Sequence, residues 1–195
     1  MNPQIILASA SPRRRELLDQ IGVTYEVLPV DIDETLRSDE EGDSFVRRLA
    51  LEKAQSGYKK QQNILPVLGS DTIVILNERI LGKPKNKKDG LSMLAGLSGH
   101  EHQVLTAVAM VDAEQSICLL NTSHVFFRSL TEQGILAYWN TGEPVDKAGG
   151  YGIQGIAAQF IERLDGSYSG VMGLPLFETA QLLKKFGIGL LADRD

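Results

Sequence analysis

Ile5, Ile6, Leu7 and Ala8 form a short unbroken apolar run, the pattern of a strand buried on both faces. Directly after it, Ser11 suits a helix N-cap and Pro12 suits the first helical position, where a missing N–H costs nothing. Leu17, Leu18 and Ile21 then recur at helical spacing and predict one buried helix face. Residues 25–30 read as a second strand, followed by a polar, acidic stretch through Asp43. Ser44 can cap the next helix, whose inner face carries Val46, Leu49, Ala50, Lys53 and Ala54. Residues 65–68 and 73–76 read as two buried strands broken at Gly69-Ser70-Asp71-Thr72. Asn77-Glu78 predicts a tight turn into residues 79–81.

Beyond that turn, Leu91, Leu94 and Ala95 give a helix stripe that ends at Ser98-Gly99. Residues 103–112 and 116–127 are long strand-like runs around Ala113-Glu114-Gln115, suited to a hairpin or to the central strands of an extended sheet. Ser129-x-x-Glu132 has capping-box form before a helix carrying Ile135, Leu136 and Trp139. Residues 160–164 read as a final strand and 165–173 as a Gly- and Ser-rich loop. Pro175 then starts a helix with Leu176, Ala180, Leu183 and Phe186 on one face.

Composition narrows the class. A chain of 195 residues forms one domain or two closely joined lobes, and no internal repeat or low-complexity linker divides it. Its 43% apolar and 23% charged residues are those of an ordinary soluble globular protein. A net charge of −5 argues against non-specific nucleic-acid binding, which needs a basic footprint. The single cysteine, Cys118, cannot form an internal disulfide, and its apolar surroundings suit core packing. No signal-type N-terminus or apolar run of about 18 residues is present, so the expected location is the cytoplasm and no membrane span is expected.

Candidate chemistry lies where the patterns misfit. Arg13, Arg14 and Arg15 place cations at the positive end of a helix dipole, beside outward-pointing N–H groups. Either this is a solvated basic turn or a multiply charged anion such as phosphate sits against it. Asp31, Asp33 and Glu34 form an acidic loop, either solvated or holding a divalent cation together with phosphate oxygens and water. Lys53 interrupts an otherwise small or apolar stripe and either snorkels to water or meets a phosphate. Asp71 at the break between two buried strands is either a satisfied turn residue or a carboxylate held in a cleft as metal ligand or general base. Its placement inside the core pattern favours function. In the lysine-rich stretch 83–88, Lys83 stands out because Gly82 and Pro84 restrict the chain around it.

Two further motifs invite readings that their context weakens. His100-x-His102 on a strand would put both rings on one face, but a zinc site lacks a third local ligand. Gly150-x-Gly152-x-x-Gly155 matches a dinucleotide fingerprint, yet no apolar strand precedes it and no periodic helix follows. The glycines instead imply a sharp turn or close backbone approach, and Gln154 offers an amide suited to a nucleobase edge.

Several of these stretches coincide with one family. Ser9-Ala-Ser-Pro-Arg-Arg, Asp33-Glu34, Glu52-Lys53-Ala54, Gly69-Ser-Asp-Thr72, Gly82-Lys-Pro84, Lys147-Ala-Gly149 through Gly155, and Gly173-Leu-Pro175 occur in the order that resembles the Maf family of nucleotide pyrophosphatases. The resemblance covers nearly the whole chain and implies a single Maf-like unit over 1–195. It implies a two-lobed α/β fold around an elongated mixed β-sheet flanked by helices, similar to inosine triphosphate pyrophosphatases, with the nucleotide between the lobes.

The family hydrolyses nucleoside triphosphates to the monophosphate and pyrophosphate with a divalent metal such as Mg²⁺ or Mn²⁺. By resemblance, Asp71 is the proton acceptor, Glu34 is a metal-linked carboxylate with Asp71, and Ser9, Arg14, Lys53 and Lys83 bind the triphosphate. Arg13, Thr72 and Gln154 occupy the positions that separate subfamilies by base, and the trio is similar to the dTTP/UTP branch. The 7-methyl-GTP branch carries Trp, Gln and Glu there. Asp33 departs from many relatives, which have Glu. Family members are often homodimers. A nucleotide-binding regulator of cell division and septum formation with weak hydrolysis is the alternative function.

Overall fold

The computed structural model describes residues 2–62 and 64–190. Seven strands form one mixed sheet in the order β2-β1-β3-β5-β6-β7, with β4 paired to β3. They are β1 (Ile5–Leu7), β2 (Tyr25–Val27), β3 (Val67–Leu76), β4 (Arg79–Leu81), β5 (Glu101–Val111), β6 (Ser116–Phe127) and β7 (Ile161–Asp165). The helices are α1 (Pro12–Gln20), α2 (Gly42–Lys60), α3 (Lys87–Leu97), α4 (Glu132–Trp139), α5 (Tyr168–Met172) and α6 (Leu176–Lys185). This is the mixed α/β class expected, with helices flanking the sheet.

The chain divides into two compact units. The first holds the described residues up to Asp71, Thr106–Asn121 and those from Gly173 onward. The second holds Thr72–Leu105 and Thr122–Met172. In the first unit β1 pairs in parallel with both β2 and β3, and all three β1 residues are buried, as the unbroken apolar run predicts. In the second unit Leu94, Leu97, Val104, Phe127, Tyr138 and Phe160 belong to one core. Phe127 and Tyr151 meet edge to face at 4.9 Å, and Tyr138 and Phe160 do so at 5.0 Å.

Local readings are corrected at several points. Residues 65–76 do not contain a broken pair of strands, because β3 runs unbroken from Val67 to Leu76. Its polar side chains find partners of their own, so the ladder continues through Ser70 and Asp71. The helix α2 starts at Gly42 with Glu41 as N-cap, ahead of Ser44, whose N–H is taken by Asp43 Oδ1. The cap of α4 is Thr131, which accepts from the Gly134 N–H at 3.1 Å, and not Ser129. Residues 165–173 include the short helix α5. On α3 the buried face is Gly90, Leu94 and Leu97, while Ala95 is exposed.

The three histidines do not converge. His100 lies outside β5 and is exposed, with Nδ1 at 2.7 Å from the Ser98 carbonyl. His102 is buried against Tyr151, and His124 pairs with Glu101. Among the described residues no cluster of three or more His, Cys, Asp or Glu could hold a metal by itself.

Candidate active site

The first unit gathers five of the predicted residues in two groups, of which the first forms where α2 closely approaches β3. Gly69 makes that approach: a side-chain carbon there would lie 2.4 Å from the Ala50 carbonyl oxygen and 2.6 Å from the Ala54 nitrogen. Residues two apart on a strand share a face, so Asp71 points the same way as Gly69. Lys53, next to Ala54 on α2, therefore reaches it. Lys53 Nζ donates to Asp71 Oδ1 at 2.6 Å and also meets Glu34 Oε1 at 2.7 Å. Asp71 and Lys53 side chains are each 11% exposed, whereas Glu34 is 54% exposed on its loop. A largely buried lysine thus joins two carboxylates that are 37 positions apart in the chain.

A second group surrounds the start of α1. Ser9, buried at the end of β1, accepts from the Ser11 N–H at 3.2 Å and from Arg14 Nη1 at 3.0 Å. Arg14 Nε donates to the Gly173 carbonyl at 2.9 Å. Ser70 Oγ, fully buried, donates to the same carbonyl at 3.0 Å. Gly173 has φ 121°, a conformation that side-chain-bearing residues rarely adopt, and so its carbonyl can take both donors. Burial pulls the Arg14 pKa below its ordinary value, while the Asp71 carboxylate acts in the opposite sense. The cation is partly stripped of water, a state that favours an anionic partner.

The acidic loop is fastened to α2 beside this cluster. Arg48 donates to Glu40 through Nε at 2.6 Å and Nη2 at 2.7 Å, and its Nη2 also reaches the Thr35 carbonyl at 3.0 Å. Asp33 accepts the Thr35 N–H at 2.9 Å. Glu34 lies between these two anchored residues. Hydrogen bonds from Arg48 depress the Glu40 carboxyl to about 2.

The remaining predicted residues are placed separately. Arg13 is half-buried in the first turn of α1 in the first unit. Thr72, Lys83 and Gln154 belong to the second unit. Thr72 is half-buried on β3, Lys83 is exposed in the loop after β4, and Gln154 is exposed in a turn before a 3-10 helix at Ile156–Phe160. The Gly149 N–H donates to the Gly82 carbonyl at 3.1 Å, which ties the glycine segment to the Lys83 loop.

Sequence reasoning missed Ser70, the Gly173 carbonyl and the Arg48–Glu40 latch. A signal existed for the first two, since each stands inside a stretch already singled out. Arg48 carried none, because one more charge on a helix reads as a solvated face.

A lysine of α2, an arginine in the first turn of α1 and two carboxylates, one within β3 and one on a loop, make this an α/β protein with a concentrated ionic site. The chain belongs to the Maf-like protein family, whose model matches residues 4–186. It is 56% identical over 191 residues to a dTTP/UTP pyrophosphatase of Alkalilimnicola ehrlichii, covering 95% of this chain and 94% of that one. It is 49% identical to the dTTP/UTP pyrophosphatase of Vibrio parahaemolyticus, covering 93% and 96%. Among solved structures, the Ham1 protein of Staphylococcus aureus shares 16% identity at a TM-score of 0.45, covering 63% of this chain and 71% of that one.

Proposed function

We propose that the protein is a nucleoside triphosphate pyrophosphatase that hydrolyses dTTP and UTP to the monophosphate and pyrophosphate. The observation that carries this reading is the Lys53 bridge between Asp71 and Glu34, in a chain of near-full-length likeness to enzymes of that name. Those relatives favour hydrolysis over the regulator reading.

The residues have separable tasks. Ser9, Arg14, Lys53 and Lys83 would neutralise and orient the triphosphate, whose negative charge grows on the leaving pyrophosphate. Asp71 would take a proton from a water whose oxygen bonds to phosphorus as the bridging bond between the α- and β-phosphates breaks. Arg13, Thr72 and Gln154 would set base choice. In the present arrangement Lys53 fixes the Asp71 carboxylate, and an incoming phosphate would compete for that ammonium.

A divalent cation such as Mg²⁺ or Mn²⁺ fits the donor set. Glu34 and Asp71 supply hard carboxylate oxygens on one nitrogen, and no larger acidic cluster stands among the described residues. Mg²⁺ is commonly held in this way, by one or two carboxylates with substrate phosphates completing its shell. When bound, the ion would supply charge neutralisation on phosphate oxygens.

We also place the protein in the cytoplasm, as a homodimer with no nucleic-acid partner. Among the described residues no helix is long and apolar enough to cross a membrane. The net charge of −5 supports a small anion as ligand over a polyanion.

The test is pyrophosphate release from dTTP, UTP, CTP, GTP and ATP at equal concentrations with Mg²⁺ or Mn²⁺. Release fastest from dTTP and UTP is expected. No release from either would overturn the proposal.

A further inference from the structure

Gln154 is exposed, yet the chain on both sides of it is pinned. Before it, Tyr151, Gly152 and Ile153 are all buried, and the Tyr151 hydroxyl hydrogen-bonds His102 Nε2 at 2.8 Å. After it, one carboxylate holds the backbone. Glu143 Oε2 accepts the Ile156 N–H at 2.8 Å, and Oε1 accepts the Ala157 N–H at 3.3 Å. Oε1 also accepts the Tyr138 hydroxyl at 2.8 Å, and Tyr138 is itself a buried core residue.

The contact leaves no room for adjustment. A side-chain carbon at Gly155 would lie 2.4 Å from Glu143 Oε2. The glycine next to Gln154 therefore lets the carboxylate sit directly under the turn. Lys147 closes the other side. Its Nζ donates to the Glu143 carbonyl at 2.7 Å, and its methylenes lie 3.0 Å from where a Gly152 side chain would be. Glu143 is thus fixed through both its backbone and its side chain. Within 151–155 only Gln154 is fully offered to solvent.

We propose that Glu143 is a positioning residue for base selectivity: its carboxylate holds the turn that presents the Gln154 amide. This rests on the proposed role of Gln154 at the base. An amide discriminates bases only when its donor and acceptor ends are held in place, because the wrong base must leave a polar group unpaired. A turn freed from Glu143 lets Gln154 rotate to suit either pyrimidine edge. Selectivity then falls while the phosphate chemistry, built from other residues, continues.

The experiment measures kcat and KM for UTP and CTP in the wild type, Glu143→Gln, Gln154→Ala and the double variant, with Tm recorded for each. Glu143→Gln is expected to raise KM for UTP and to lower the UTP-to-CTP ratio of kcat/KM roughly tenfold, with kcat nearly unchanged. The double variant should be no less selective than Gln154→Ala alone, since both changes remove one device. Tyr138→Phe keeps the carboxylate and its backbone bonds but removes one donor, and should lower the ratio less, in the same direction. It stands in if Glu143→Gln does not fold.

If Gln154→Ala lowers the ratio but Glu143→Gln and Tyr138→Phe leave it intact, the inference fails and the base-reading role stands. Multiplicative losses in the double variant also overturn it. If Gln154→Ala itself leaves the ratio unchanged, the role of Gln154 fails and takes the inference with it.

Discussion

Lys53 Nζ lies 2.6 Å from Asp71 Oδ1, across the contact between α2 and β3 that Gly69 permits. The pair couples the proposed water-activating carboxylate to a proposed phosphate ligand. It also separates chemistry from folding in a way that substitution can test.

Asp71→Asn keeps the shape and the hydrogen-bonding reach of the side chain but cannot accept a proton as a carboxylate does. Turnover of UTP should fall by on the order of 10²-fold or more, with Tm and nucleotide binding largely kept. Near-normal turnover by the folded variant removes Asp71 from that role.

Arg14→Ala and Lys83→Ala should lower kcat/KM by a similar factor for UTP, dTTP and CTP, because phosphate contacts carry no base information. The two should differ in stability. Lys83 is exposed, so its loss should leave Tm unchanged, whereas Arg14 also holds Ser9 and the Gly173 carbonyl. Base-dependent losses at either position would contradict a phosphate role.

Arg13, Thr72 and Gln154 should together decide the base. An arginine offers only donors, while the amide and the hydroxyl can donate or accept, which suits the two carbonyls flanking N3–H of uracil and thymine. Cytosine would leave polar groups mispaired at about 1–3 kcal/mol each, roughly tenfold to hundredfold in rate. Changing the trio to Trp, Gln and Glu should erode the dTTP/UTP preference in a five-nucleotide competition. A wild type that prefers CTP or 7-methyl-GTP would sink the branch assignment.

Glu40 gives a pH signature. Its carboxyl stands at about 2 in the folded protein against an ordinary 4.5, through its hydrogen bonds from Arg48. A depressed carboxylate contributes stability above the unfolded value and loses it as pH falls through the folded one. Wild type should therefore melt above Glu40→Gln at neutral pH, with the gap closing between about 4.5 and about 2. A gap that stays constant over that range means the pair contributes nothing through ionisation.

Gly69→Ala should destabilise by about 1–3 kcal/mol, since the added carbon meets backbone on α2 and cannot be relieved by a rotamer. It should also slow hydrolysis by moving Lys53 away from Asp71. Gly82→Ala, where nothing lies within 4 Å, is the control and should stay within about 0.5 kcal/mol by chemical denaturation.

Periodicity and composition determined much of this protein. The apolar run at 5–8, the strand-like run at 116–127 and the Pro12 helix start are local properties, set by side-chain pattern and by proline's fixed φ, and they hold in the folded chain. The misfits also marked residues that the fold brings into polar contact: Arg14, Lys53 and Asp71 stood out because stability alone would not choose them. The unbroken course of β3 was not legible, because Gly, Ser and Asp are poor strand residues unless partners arrive from elsewhere. Lys53 on α2 and the Gly173 carbonyl, 103 residues beyond Ser70, are those partners. Only tertiary packing decided that Lys53 turns inward to two carboxylates, that Arg48 ties down the loop of Glu34, and that Glu143 sits beneath Gln154. Each depends on a close approach at a glycine or on an ion pair that joins a helix to another element or loop, and neither leaves a period in the sequence.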